Sequence, residues 1–86
     1  MTKIENIQKN YVGRTFDCGA LILVIENAEE TDNTITLTFG LHSPETTQEI
    51  NGETIDKASE VRQTIVEEIQ DLYSVNVVNF YQNLRP

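Results

Sequence analysis

The sequence predicts a single α+β domain over residues 1–86: a small antiparallel sheet of three to four strands, one long amphipathic helix packed across one face, and a short N-terminal helix. Three observations carry this. Residues 53–73 repeat apolar side chains at helical spacing. Residues 14–26 and 34–42 are rich in strand-forming side chains and are separated by turn residues. A chain of 86 residues has length for one core, not two.

The elements follow in order. Thr2-Lys3-Ile4-Glu5 fits a capping box, with threonine at the N-cap and glutamate three residues on. Ile4, Ile7 and Tyr11 share a face, so a helix is expected over 3–10, ending near Val12-Gly13. Residues 14–26, RTFDCGALILVIE, read as one strand. From Leu21 to Ile25 it is apolar on both alternating sets, which calls for cover on both faces. The short helix, or a second copy of the chain, would supply the second cover.

Residues 27–33, NAEETDN, read as a polar acidic turn. In TITLTFGLH, residues 34–42, Ile35, Leu37, Phe39 and Leu41 alternate with Thr34, Thr36, Thr38, Gly40 and His42. That is a half-buried strand, close enough to the first to pair as a hairpin. Residues 43–52, SPETTQEING, lead into the long helix, with a short strand at 46–50 turned at Asn51-Gly52 as the alternative. Ile55, Ala58, Val61, Ile65, Ile69 and Leu72 fall within about 140° of helical arc, with Val66 and Tyr73 at its edges. Ser74 ends the run. Residues 75–84, VNVVNFYQNL, are β-branched and aromatic and predict a last strand beside the first, antiparallel to it. Asn76, Asn79 and Gln82, with Tyr81, form its exposed side. The order is α-β-β-(β)-α-β.

Charge is the most uneven property of the chain. The formal net charge is −8, and residues 26–71 hold twelve of the 14 carboxylates against Lys57 and Arg62. Glu53, Asp56, Glu60, Glu67, Glu68 and Asp71 fall within about 120° of arc, opposite the apolar stripe. Asp56/Glu60 and Glu67/Asp71 are like-charge pairs at i,i+4, each destabilising by roughly 0.2–0.5 kcal/mol; Glu53–Lys57 is the one favourable pair of that spacing. Glu26, Glu29, Glu30 and Asp32 form a second acidic cluster. Direct binding to nucleic acid is disfavoured, since phosphate neutralisation needs lysine and arginine. An anionic membrane surface is disfavoured for the same reason. No apolar run approaches the length of a membrane span, and MTKIENIQKN lacks a secretion core, so a cytosolic protein is expected. The abundance of asparagine, isoleucine and threonine points to an AT-rich genome, bacterial or viral.

Catalytic chemistry finds little support. His42 is the single histidine and Cys18 the single cysteine, so a dyad would rest on one candidate of each. Cys18 reads as a small core residue. Gly13, Gly19, Gly40 and Gly52 make no phosphate loop, and residues 26–33 lack the ligand pattern of a calcium loop. No metal or cofactor is expected. Arg62 lies within the apolar arc and is expected to snorkel past the sheet edge, with a buried pair to Asp17 or a dimer contact as alternatives.

The stretch INGETIDKASEVRQTIVEE, residues 50–68, resembles the opening strand–turn–helix of the barstar family, acidic intracellular inhibitors of a basic ribonuclease. Ile50-Asn51-Gly52-Glu53, Ile55, Ser59 and Gln63-Thr64 carry the resemblance, over about a fifth of the chain. Neither that family's fold nor its binding residues transfer to this sequence. In type, the chain is also similar to virus-encoded inhibitors of host enzymes.

The expected function is a non-enzymatic, inhibitor-like binding protein. Its acidic surface (Glu53, Asp56, Glu60, Glu67, Glu68 and Asp71, with Glu29, Glu30 and Asp32 alongside) would dock on a basic protein partner, in the limit as a DNA mimic. The alternative is a structural or assembly subunit, such as a homodimer, that acts through its sheet surface and edge strand, with Val78 and Phe80 at the interface and the acids serving solubility.

Overall fold

The computed structural model describes residues 2–19, 21–42 and 52–81, with Gly52, Glu53, Phe80 and Tyr81 described by backbone alone. The elements are α1 (Lys3–Tyr11), β1 (Thr15–Asp17), β2 (Ile22–Thr31), β3 (Thr34–His42), α2 (Gly52–Tyr73) and β4 (Asn76–Tyr81). The strands form one mixed sheet in the order β1-β2-β3-β4. The first two pairings are antiparallel and the third is parallel. The fold is α+β, with the expected succession of elements. The alternative strand at 46–50 and Gln82 lie outside the described residues.

α1 starts where its capping box places it. The Glu5 N–H donates to the Thr2 hydroxyl, and the Thr2 N–H donates to the Glu5 carboxylate. The Thr2 hydroxyl also donates to the Glu5 carboxylate at 2.8 Å, and this bond, with that from the Thr2 N–H, holds the Glu5 carboxyl below its ordinary pKa. Its inner side carries Ile7 and Tyr11, both buried.

The core lies on one side of the sheet. Leu23, Ile25 and Ala28 of β2 and Ile35, Leu37 and Phe39 of β3 are fully buried. α2 brings Ala58, Ile65, Val66 and Ile69 to that face, and α1 brings Ile7 and Tyr11. The Gln8 amide donates to the Ala28 carbonyl at 2.9 Å and ties α1 to β2. Both helices therefore share one face, and the short helix does not cover the other as expected. Only Val12, Gly13 and Arg14 join α1 to β1. The Gly13 N–H is fixed on the Ile25 carbonyl at 2.8 Å, so the link is too short to carry α1 around the sheet edge. On the opposite face Ile22 and Val24 are half-buried and Val78 is 45% exposed.

Six further expectations are corrected. The single strand 14–26 is a hairpin, β1 against β2, with Thr15 opposite Val24. Gly19, at φ +84, turns the chain over, and the Asp17 carboxylate accepts its N–H at 2.9 Å. The acidic turn 27–33 is mostly strand. β2 runs to Thr31 because a bulge between Ile25 and Asn27 resets the alternation and points Ala28 inward. The turn itself is Asp32-Asn33, both left-handed (φ 50 and 63), a conformation that joins strands with the right twist.

β4 lies beside β3, parallel to it, and not beside the first long strand. The edge of β2 that it would have used is occupied by β1. A helix antiparallel to β3 delivers the next strand parallel to β3, on its free edge. Within β4, Val77 is buried while Val78 is exposed. Asn79 shares Val77's side, so it belongs to the inner face and not to the exposed one.

In α2, Ile55 (42% exposed) and Leu72 (66%) leave the expected core stripe. Both sit in terminal turns of a helix about 33 Å long, while the adjoining β4 spans only about 20 Å. Arg62 neither snorkels free nor meets Asp17: its Nη1 donates to the Asn79 side-chain oxygen at 2.6 Å.

Ser74 ends α2 in the left-handed region at φ 53. Ser74→Gly is expected to raise the unfolding free energy by about 0.5–1 kcal/mol, and Asn33→Gly by less, because asparagine tolerates that region. Urea midpoints of the two variants check both the gain and its order.

Candidate functional site

The carboxylates of α2 occupy its solvent side because its apolar stripe is committed to the sheet. Asp56, Glu60, Glu67, Glu68 and Asp71 are all exposed. Glu53 precedes them by sequence; its side chain, and hence its pair with Lys57, lies outside the description. From Glu53 to Asp71 the helix rises about 27 Å, one acid per ~4.5 Å. Among the described residues no lysine or arginine lies within 4 Å of Asp56, Glu60, Glu67, Glu68 or Asp71; the Glu26 carboxylate meets the His42 ring at 3.1 Å. The last turn of α2 carries no base. Glu67, Glu68 and Asp71 thus stand near the helix end where the macrodipole disfavours negative charge.

The second acidic cluster is divided. β3 and β4 run parallel with Thr34 opposite Asn76, so the Asp32-Asn33 turn and the C-terminal end of α2 lie at the same end of the sheet. Asp32 is therefore near that end. Glu30 is paired with inward-facing Ile35, on the helix side. Glu29 is paired with Thr36 and belongs to the face away from the helices. Its carboxylate accepts from the Asn27 amide at 3.0 Å. Glu26 is committed elsewhere: it lies over Gly40, where an added Cβ would collide with its carboxylate, and reaches His42. The structure thus groups the helix acids, brings Asp32 toward their end, and separates Glu29 from them.

One feature escapes sequence reading. A groove of about 380 Å³ runs between α2 and the start of β1, lined by Arg14, Phe16, Glu60, Val61, Thr64, Ile65 and Glu68. Beside it the Tyr11 hydroxyl donates to Glu68 Oε2 at 2.9 Å, joining α1 to α2 across 57 residues of sequence. The Arg14 guanidinium sits 5.1 Å from the centre of the Tyr11 ring, a cation–π contact. Tyr11 and Arg14, three residues apart around a chain turn, carried no periodic signal that would join them to α2.

The described residues offer little chemistry. None of their histidine, cysteine, aspartate and glutamate side chains cluster in threes to hold a metal ion. Cys18 is buried, and burial pushes its thiol up, away from the reactive thiolate. Among the described residues no helix is long and apolar enough to cross a membrane. No protein-family model, curated protein or solved structure matches the chain.

Tyr11 makes the site testable in isolation. Burial, and then the bond to Glu68, push its phenol up to about 12 from 10.0. The folded state keeps this proton after the unfolded state has lost it, so the stabilisation is complete below about pH 10 and is lost as pH rises through about 12. Urea unfolding between those values should show a falling stability whose slope is reduced in Tyr11→Phe.

Proposed function

We propose that this is a non-enzymatic, inhibitor-like binding protein of the cytosol that docks the acidic side of α2 on a basic surface of a partner protein. The observation that carries this reading is the unrelieved charge of α2: exposed carboxylates along the helix, with no described lysine or arginine against them and no base in the last turn. A helix selected for stability alone would interleave bases with these acids and place them at its C-terminal end. A partner carrying lysine and arginine supplies the missing cations.

The preferred partner surface is one that otherwise binds nucleic acid. Duplex DNA carries a charge about every 1.7 Å of axis over both strands. The helix is sparser, but a partner engages one side of a duplex. In this reading the protein itself binds neither nucleic acid nor membrane, and long-range attraction speeds the encounter.

A second reading has one observation in its favour. Both helices lie on one face of the sheet, and the other carries half-buried Ile22 and Val24 with exposed Val78. An assembly subunit, such as a homodimer, would use that face.

The test is capture of partners from a bacterial lysate by tagged protein at low and high salt, beside the triple variant Glu60→Lys, Glu67→Lys, Asp71→Lys. Capture of a nucleic-acid-binding protein should fall at least about tenfold at high salt, be competed by duplex DNA, and disappear with the variant. Undiminished capture by the variant sinks the acidic-docking reading. If instead Val78→Asp disperses an oligomer that the triple variant still forms, the assembly reading replaces it.

A further inference from the structure

We infer that the groove between α2 and β1 is the anchor site of this surface and seats an arginine side chain of the basic partner. The inference rests on the acidic-docking reading and names the group that the partner must present.

The groove is apolar at its base and charged at its rim. Phe16, Val61 and Ile65 form the base. Glu60 and Glu68 stand on one wall, two helical turns or about 12 Å apart along α2. Thr64 lies between them, its hydroxyl already donating to the Glu60 backbone carbonyl at 3.0 Å. Arg14 forms the opposite rim, with its guanidinium over the Tyr11 ring and no described carboxylate within 4 Å. Tyr11 holds the Glu68 carboxylate in place through a bond of 2.9 Å. The rim thus carries two negative charges against one positive, and one of the carboxylates is pre-positioned.

Charge and shape select the occupant. An anion meets two carboxylates. A purely apolar group would strip water from them and supply no donors, which is costly. A cation on a long apolar stem satisfies both parts. Lysine has such a stem, but its compact ammonium is strongly hydrated. The arginine guanidinium is planar and weakly hydrated, lies flat on an aromatic ring and forks onto a carboxylate through two bonds. Its methylenes cover Val61 and Ile65 while its plane lies against Phe16 and its fork reaches Glu68 or Glu60. Anchors of this kind, a large side chain in a partly apolar pocket surrounded by weaker contacts, dominate many interfaces.

The probe is the blocked tripeptide acetyl-Gly-Arg-Gly-amide, titrated at low salt into the isotope-labelled full chain and followed by backbone amide shifts. The lysine and norleucine analogues run beside it. The expected result is saturable shifts centred on Phe16, Thr64 and Ile65, several-fold weaker binding of the lysine peptide, and none of the norleucine peptide. Thr64 is exposed, so Thr64→Trp should fold and block the groove at unchanged charge, weakening the arginine peptide at least tenfold. Thr64→Arg, which places a competing guanidinium there, gives a second block. Asp56→Asn and Asp71→Asn, outside the groove, should change the affinity less than twofold. Shifts spread along the solvent side of α2 without Phe16 or Ile65, or full affinity in both Thr64 variants, overturn the anchor while leaving charge-driven docking in place. Absence of any shift also overturns the anchor; salt-dependent capture of partner by the wild type then shows whether the docking reading survives without it.

Discussion

The structure depends on one constraint: two strands with a single fully apolar face must be covered from one side. Leu23, Ile25 and Ala28 of β2 and Ile35, Leu37 and Phe39 of β3 form that face, and each is removed from water completely. Burying side chains of this size stabilises by about 1.5–3 kcal/mol each, the scale on which a domain of this length survives. Two helices meet the requirement together. α1 is too short to cover the face alone, and α2 crosses the rest of it, so Ile7 and Ile69, distant in sequence, end in one core. The bond from Tyr11 to Glu68 joins the two covers above it.

This arrangement also sets where the charge goes. Once α2 commits Ala58, Ile65, Val66 and Ile69 to the sheet, the carboxylates of its far side are exposed among the described residues. The chain places five carboxylates there, Asp56, Glu60, Glu67, Glu68 and Asp71, against exposed Lys57, and Arg62, a base of the same helix, is drawn inward to Asn79. Arg14, which shares the groove with Glu60 and Glu68, is stacked on Tyr11. Arg62 and Arg14 are thus turned to structural contacts, exposed Lys57 is the base left on the helix surface, and the net negative surface is left to solvent or to a partner. The groove is where core and surface meet: Ile65 belongs to the packed interior, half-buried Phe16 lies against it, and Glu60 and Glu68 belong to the acidic side.

Features written in adjacent residues were legible in the sequence. The Thr2/Glu5 capping box, the alternation of 34–42 and the helical period of 53–73 each specify a local geometry that the tertiary fold keeps. The departures arise where a single residue changes the direction or phase of the chain. Gly19 inside an apolar run conceals the turn that makes two strands of one, and the Glu26 bulge conceals the continuation of β2 through Asn27–Thr31. From these follows the placement of β4, because an edge cannot be seen as occupied until the hairpin beside it is known. The acidic arc was legible for the same reason as the apolar stripe, as one periodicity in one helix. The groove was not, since Arg14 and Phe16 reach Glu60 and Glu68 only through the packing of α1 and β1 against α2.

The central claim is that the acidic side of α2 is electrostatically unrelieved in the free protein. Its most direct test is the unfolding free energy in urea at about 10 mM and about 500 mM sodium chloride, where the screening length falls from roughly 30 Å to about 4 Å. Screening should relieve the i,i+4 repulsions and the unfavourable macrodipole contacts, so stability should rise with salt by about 1 kcal/mol. The rise should shrink when Glu60 and Asp71 are replaced by lysine. A stability that stays flat or falls with salt, or a rise of equal size in that variant, would contradict the account.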